Sequence, residues 1–221
     1  MARVIGLIEA RLPLSGRSFL DIGCGKGDYI WAMAQKHRFG RAWGLDVSAE
    51  NIRQAEANGR AGGDQEIRFL CQDFLAFETP LKFDLVFSES VLHYLPASLE
   101  TILGRLCDLT TPDGWIVFSW CRNSPANWLR CAVRRLLALF QLGPLEETII
   151  WLGLTFGRRG LSREKIASSM VYLFQTPRRG LGRAALERAA ERQGLKLMAV
   201  DYIPSYSPLA LDHNIFFLKR I

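Results

Sequence analysis

The stretch FLDIGCGKGDYI, Phe19 to Ile30, sets three glycines at alternate positions, Gly23, Gly25 and Gly27, between an apolar run and a segment of helical character. A glycine loop between a strand and a helix lets a ligand approach the backbone closely, facing the positive end of the helix. Two ligand classes use such a loop, and spacing separates them. A dinucleotide fingerprint, G-x-G-x-x-G, counted from Gly23 and Gly25, needs its third glycine where this chain has Asp28. A carboxylate there would repel a pyrophosphate and lacks the small profile that close helix packing requires. The dinucleotide reading fits badly.

Strand and helix signals alternate outward from the loop through the first 120 residues. RSFLDIG reads as a buried strand and DYIWAMAQKH as the helix after the loop. RAWGLDV is a second strand, and Ser48 is placed to cap the helix AENIRQAEANG, which ends at Gly59. EIRFLCQD and FDLVFSES are strands three and four. PASLETILGRLCDL is a helix with proline in its first turn, TPDG a turn, and WIVFSW strand five. Strands joined by helices predict an α/β fold with a parallel sheet wound on both faces and ligand sites at the carboxyl ends of its strands. From Cys121 to Gly180 the rhythm pauses in a mainly helical, arginine-rich insertion. It resumes with the helix LGRAALERAAERQG, ended by Gly194, and the strands LKLMAVDYI and HNIFFLKRI. Those two lie too close in sequence for a crossover helix, so the closing pair is expected to be antiparallel. His213 belongs to the start of the last strand and His37 to a helix end.

Bulk properties narrow the class. A chain of 221 residues can bury one sizeable core, here a single domain over 1–221 with 121–180 as a helical lid or insertion. No run reaches the roughly 18 uninterrupted apolar residues of a membrane span. The apolar patch before Glu9 is too short for a secretory signal, so a cytoplasmic location is expected. Five scattered cysteines without CxxC spacing, and three histidines, argue against structural zinc, any other metal site and a disulfide framework. The net charge of +6 is unevenly placed: Cys121 to Arg192 holds 13 Lys+Arg against 5 Asp+Glu, and the remainder 15 against 17.

A ligand with a cationic amine and a sulfonium, and no phosphate, would tolerate the carboxylates around the glycines. LDIGCGKG resembles the first motif of the class I S-adenosylmethionine-dependent methyltransferases, small-molecule type. The resemblance covers Ser18 to Trp120 well and Leu181 to Ile221 more weakly, and it leaves the insertion uncovered. It implies a Rossmann-like seven-stranded sheet of order 3-2-1-4-5-7-6 with an antiparallel last strand, and S-adenosyl-L-methionine as cofactor. Carried over by position, Gly23, Cys24, Gly25 and Gly27 would face the cofactor, and Asp21 would sit near its amino-acid end. Asp46, closing the second strand in WGLDVS, would accept hydrogen bonds from both ribose hydroxyls, as suits a carboxylate before a vicinal diol. Val47 would pack on the adenine. Asp73 in CQDF would receive its exocyclic amine beside the Phe74 backbone, and Ser88 would lie by the methionine moiety.

Methyl transfer needs proximity and alignment, and a base only for some acceptors. By position after strand four, His93 and Tyr94 are the candidate catalytic residues, as a general base or as walls of the site; an imidazole ordinarily titrates at about pH 6.5. Tyr29, Arg122, Asn123, Tyr202 and Tyr206 are further candidates to line the site. In the insertion, Trp128, Leu129, Ala132, Val133, Leu136, Leu137, Leu139 and Phe140 share a broad apolar face, with Arg130, Arg134 and Arg135 on the other side. So much apolar area implies a packed helical subdomain or a pocket for a bulky apolar acceptor, such as a natural product, quinone or lipid, methylated on oxygen or nitrogen. The basic residues would also suit a membrane surface or a carrier protein bearing a carboxyl acceptor. Nucleic acid, a tRNA for instance, fits less well, since no RNA-binding motif accompanies the basic segment.

Overall fold

The computed structural model describes residues 1–59, 65–139, 176–177, 180–204 and 210–221, with backbone alone for 137–139. The chain divides into two compact units. One comprises Met1–Trp120, Arg183–Asp201 and Ile215–Ile221; the other comprises Cys121–Gly182 and Tyr202–Asn214.

The N-terminal apolar patch forms helix α1 (Ala2–Glu9), which buries Val4, Ile5 and Ile8. Strand β1 (Ser18–Ile22), helix α2 (Asp28–Ala34), strand β2 (Arg41–Asp46), helix α3 (Ala49–Asn58) and strand β3 (Ile67–Cys71) follow. Strand β4 (Phe83–Ser88), a single 3-10 turn (Leu92–Tyr94), helix α4 (Leu99–Leu109) and strand β5 (Thr110–Cys121) come next. Helix α5 (Pro125–Leu139) precedes helix α6 (Arg183–Glu191), strand β6 (Leu195–Ile203) and strand β7 (His213–Arg220). The sheet has the order β3-β2-β1-β4-β5-β7-β6, parallel from β3 to β5 and antiparallel at its last strands, as expected. Phe19, Leu20 and Ile22 of β1 are buried without alternation, because helices cover both faces of a parallel sheet.

Local chemistry sets the element ends. Ser48 caps α3 by accepting the Asn51 N–H at 3.2 Å, and Ser98 caps α4 by accepting the Thr101 N–H at 3.0 Å. Pro96 therefore precedes the cap of α4 and does not occupy its first turn, because the serine side chain terminates the helix first. The TPDG turn lies inside β5 as an irregularity. Register shifts between Phe83 and Leu85 of β4, whose partners are Thr110 and Trp115, and Asp113 takes φ 60.

The larger correction concerns α5. Most of its expected polar side is covered and much of its expected apolar side is bare, although Arg135, placed with the polar residues, is exposed and Val133 is half-buried. Arg134 and Asn127 are buried, at 4% and 3% exposed, whereas Trp128, Leu129 and Leu136 are 62%, 68% and 55% exposed. Asn127 explains the orientation. Its amide nitrogen donates to the carbonyls of Arg122 and Asp212, both at 2.8 Å, and its oxygen accepts from the Asp212 N–H at 3.0 Å and Arg130 Nη1 at 3.0 Å. Arg130 also pairs with Asp212 at 2.8 Å. A polar side with its partners in place can be buried at little cost. Phe140, Tyr206 and most of the expected lid lie outside the described residues.

At the amino ends of the strands, Asp84 ties β1 to β4. One of its oxygens accepts the Ser18 N–H at 2.9 Å and the Ser18 hydroxyl at 2.7 Å, while the other accepts Thr111 Oγ1 at 3.4 Å and faces Arg17 at 3.5 Å. Burial alone would raise its carboxyl, but the Ser18 donors and the Arg17 charge more than offset this and hold it below the ordinary carboxylate value. A depressed folded pKa contributes stability above the unfolded value of about 3.9, which is lost as pH falls through the folded value. Asp84→Ala should therefore cost about 2 kcal/mol at neutral pH, and visibly less at the acid end. Urea unfolding of both proteins across pH 3 to 7 checks this.

Candidate functional site

The site grows from the carboxyl ends of β1, β2 and β4, all within the first unit. The chain leaves β1 through Gly23, Gly25 and Gly27, each left-handed, at φ 72, 54 and 77. At Gly23 the requirement is doubled. Besides the φ, an added Cβ would overlap the Val91 side chain. Gly25 differs, since an added Cβ there would find nothing within 4 Å. Gly23 is bare so that the protein can pack against it, and Gly25 is bare toward open space, where a ligand can come.

Two anchors hold the loop. The N–H groups of Gly23 and Cys24 both donate to the Leu45 carbonyl, at 2.7 and 2.9 Å, and the Gly25 N–H donates to Asp46 Oδ2 at 2.9 Å. Asp46 Oδ1 accepts the Ser48 N–H at 2.9 Å and Asn51 Nδ2 at 3.2 Å. A carboxylate offers about four acceptor positions, so three protein donors leave room for a ligand hydroxyl. Val47, next in sequence, is 72% exposed, an apolar side chain presented beside that carboxylate. Asp73 is exposed and receives the Leu75 N–H on Oδ1 at 2.9 Å, while Phe74 is buried. Ser88 is buried and donates to the Ile22 carbonyl at 2.8 Å, which joins the ends of β1 and β4.

Asp21 is the electrostatic centre. It is 2% exposed, and its Oδ2 has no hydrogen-bond partner among the described residues. Burial pushes its carboxyl well above the ordinary value, and the charges of Glu89 and Asp46 push the same way. Burial likewise raises the Cys24 thiol, followed by the Asp21 and Asp46 charges, so this cysteine stays a packed thiol, not a nucleophile. The buried Asp21, with its orphaned oxygen and the Glu89 and Asp46 charges acting on it, would suit a cation. The residues present thus fit a ligand that has an ammonium at one end and a ribose at the other.

The 3-10 turn places His93 and Tyr94 after β4. His93 is fully buried, its ring 4.3 Å from that of Tyr94 and 6.0 Å from that of Trp120. The preceding loop is braced by Ser90, which takes φ 61 and donates its N–H to Ser119 Oγ at 2.7 Å. The ring of Tyr29 packs on Phe87 at 4.9 Å. In the second unit, Arg122 lies 5.1 Å over the Tyr202 ring. The sequence reading missed Glu89 and Asn51. Glu89 directly follows the β4 end that sits level with Asp21, and Asn51 stands three residues past a serine cap; both positions were available as signals.

A family model described as "Methyltransferase domain" matches residues 13–144. Among curated proteins, "Ubiquinone biosynthesis O-methyltransferase" of Paracidovorax citrulli is 31% identical over 131 residues, 58% of this chain and 54% of that protein. The protein of the same name from Pseudomonas entomophila is 32% identical over 127 residues, 57% of this chain and 53% of that one. The chain thus spans about half the length of the curated relatives it matches. Among solved structures, magnesium protoporphyrin IX methyltransferase from Synechocystis PCC 6803 with bound SAH superposes at a TM-score of 0.65 and 16% identity, covering 100% of this chain and 81% of that one. A mycolic acid cyclopropane synthase with SAH does so at 0.68 and 13%, covering 99% and 83%. At such identities the structural likeness speaks for the fold.

Gly23→Ala should destabilise the protein by about 3 kcal/mol, through the strained φ and the overlap with Val91. Gly25→Ala should cost only about 1 to 2 kcal/mol of stability, yet abolish binding of a nucleoside-bearing ligand, as thermal melts with and without ligand would report. For Asp21 the folded pKa is raised above the unfolded one, so its contribution is fully present below about pH 3.9 and is lost as pH rises through the folded value. Stability should therefore fall with rising pH less steeply in Asp21→Asn than in the native protein.

Proposed function

This chain belongs to the class I S-adenosylmethionine-dependent methyltransferase family, and we propose that it transfers a methyl group to oxygen or nitrogen of a small, largely apolar acceptor. The observation that carries the cofactor half is the Asp46 carboxylate. It holds the Gly25 N–H at 2.9 Å, with spare acceptor capacity and the exposed Val47 at its side. Asp46 would take a ribose hydroxyl at its remaining acceptor position, Val47 and the Asp73–Phe74 turn would flank the adenine, and Gly25 would lie under the cofactor. Asp21, with Glu89, would receive the ammonium of the amino-acid end. When bound, S-adenosylmethionine would supply an electrophilic methyl for a lone pair on the acceptor's oxygen or nitrogen, with S-adenosylhomocysteine as leaving group and the acceptor's proton released to solvent.

What the chain itself contributes is placement. The left-handed loop and the β4 end hold two sides of the site at fixed positions, so the entropic cost of alignment is met during folding. Ser88, bonded to Ile22, keeps those two strand ends in register. The ring of His93 is sealed against Tyr94 and Trp120, which favours a wall that shapes the site over a base that reaches a substrate proton. An apolar acceptor is supported by the similarity to proteins that act as ubiquinone biosynthesis O-methyltransferases.

The test is calorimetric titration with S-adenosylmethionine, S-adenosylhomocysteine and NAD, on the native protein and on Asp46→Asn. Binding of the two sulfur nucleosides should weaken in the variant by about 2 kcal/mol, or about thirtyfold. Absence of both from the folded native protein would sink the reading, and NAD binding would return the loop to the dinucleotide class. For turnover with quinone-like and other apolar acceptors, His93→Gln is expected to raise KM while leaving the pH profile of kcat in place. Loss of a limb near neutrality would instead make His93 a base.

A further inference from the structure

A carboxyl that is 2% exposed needs donors to carry its charge, and the donors close to Asp21 are spent elsewhere. The loop amides nearest in sequence, those of Gly23 and Cys24, both donate to the Leu45 carbonyl, and the Gly25 N–H goes to Asp46. Asp46 also takes donors from Ser48 and Asn51, whereas Oδ2 of Asp21 has no hydrogen-bond partner among the described residues. Parallel pairing sets Asp21 level with Gly44 of β2 and Phe87 of β4, so Asp46 and Glu89 come two positions further along the chain from those neighbours. Both add negative charge where a second anion is already costly.

We infer that the free protein keeps a proton on Asp21 and that the ammonium of an arriving cofactor displaces it to solvent, one cation replacing another at the same carboxyl. The inference rests on the cofactor reading above and adds to it a coupling between binding and pH. Burial is the first cause that raises the Asp21 carboxyl, followed by the charges of Glu89 and Asp46. An ammonium against the same oxygen acts in the opposite direction. Affinity is therefore low where free Asp21 is protonated, rises with pH through its raised value and levels off above it. The elements beside β1 bring further titratable groups. Burial keeps the Cys24 thiol of the loop protonated, and Lys26 and Asp28 are exposed. Tyr29 of α2 packs its ring on Phe87, and His93 beyond β4 packs on Tyr94 and Trp120.

Calorimetric titration of the full chain with S-adenosylhomocysteine, between about pH 5 and pH 8 in buffers of different ionisation enthalpy, counts the protons released. About one proton per ligand should leave toward the acid end, with affinity rising there by up to about tenfold per pH unit. 5′-Methylthioadenosine, which has the nucleoside and the sulfur but no ammonium, should bind without releasing any. Asp21→Asn keeps the shape of the protonated acid; it should bind S-adenosylhomocysteine with no proton released and an affinity that no longer varies with pH. Glu89→Gln removes a charge that favours the proton, so its affinity curve should shift to lower pH, whereas His93→Gln should leave the curve in place. Circular dichroism checks the fold of each variant. Binding by the native protein without proton release overturns this inference alone, as does release that survives in Asp21→Asn or appears with 5′-methylthioadenosine. No binding of either nucleoside by the folded native protein overturns the cofactor reading with it.

Discussion

One carboxylate organises the ligand end of this molecule. Asp46 sits at the last position of β2, and its two oxygens divide their work: one takes the Gly25 N–H of the loop that follows β1, the other takes donors from the start of α3. Parallel pairing of β1 with β2 makes this reach available, because it sets Ile22 beside Leu45 and so brings the loop past the end of β2. The left-handed glycines then turn the backbone so that an N–H, not a side chain, meets the carboxylate. Ser48 and Asn51 keep Asp46 in one orientation, which fixes where a diol would have to lie.

The same arrangement works against stability. Asp21 is buried with an orphaned oxygen, and Glu89 and Asp46 raise the cost of its charge. Nothing in the packing of β1 asks for a carboxylate there; its neighbours Phe19, Leu20 and Ile22 are ordinary core. A cationic ligand would relieve the repulsion, so the strain is best understood as held for binding.

At α5 the competition between polar and apolar burial is decided by partners. Asn127 makes four hydrogen bonds through one amide, and Arg130 shares Asp212 with it. Forming that network fixes which way the helix faces, because breaking it would leave several buried polar groups unmet. The leucines and the tryptophan take whatever side remains. Amphipathicity measures how well two faces are separated; it does not say which of them finds company.

Much of the fold could be read from sequence because it depends on local chemistry. Alternation of apolar runs with helical segments marked the strands, the short link before the last strand made it antiparallel, and Ser48 marked the start of α3. The glycine spacing and the acid at Asp28 disfavoured a dinucleotide, and the resemblance of LDIGCGKG to the first motif of the class I methyltransferases implied the cofactor. Glu89, Asn51 and Ser119 acquired their roles only when strands distant in sequence met, as Asp21 did with the β4 end and Ser90 with Ser119. The covered side of α5 was likewise beyond the sequence, for it hangs on Asp212, 85 positions from Asn127. Periodicity records what a helix could bury, whereas the partners that decide what it does bury are brought to it by the tertiary structure.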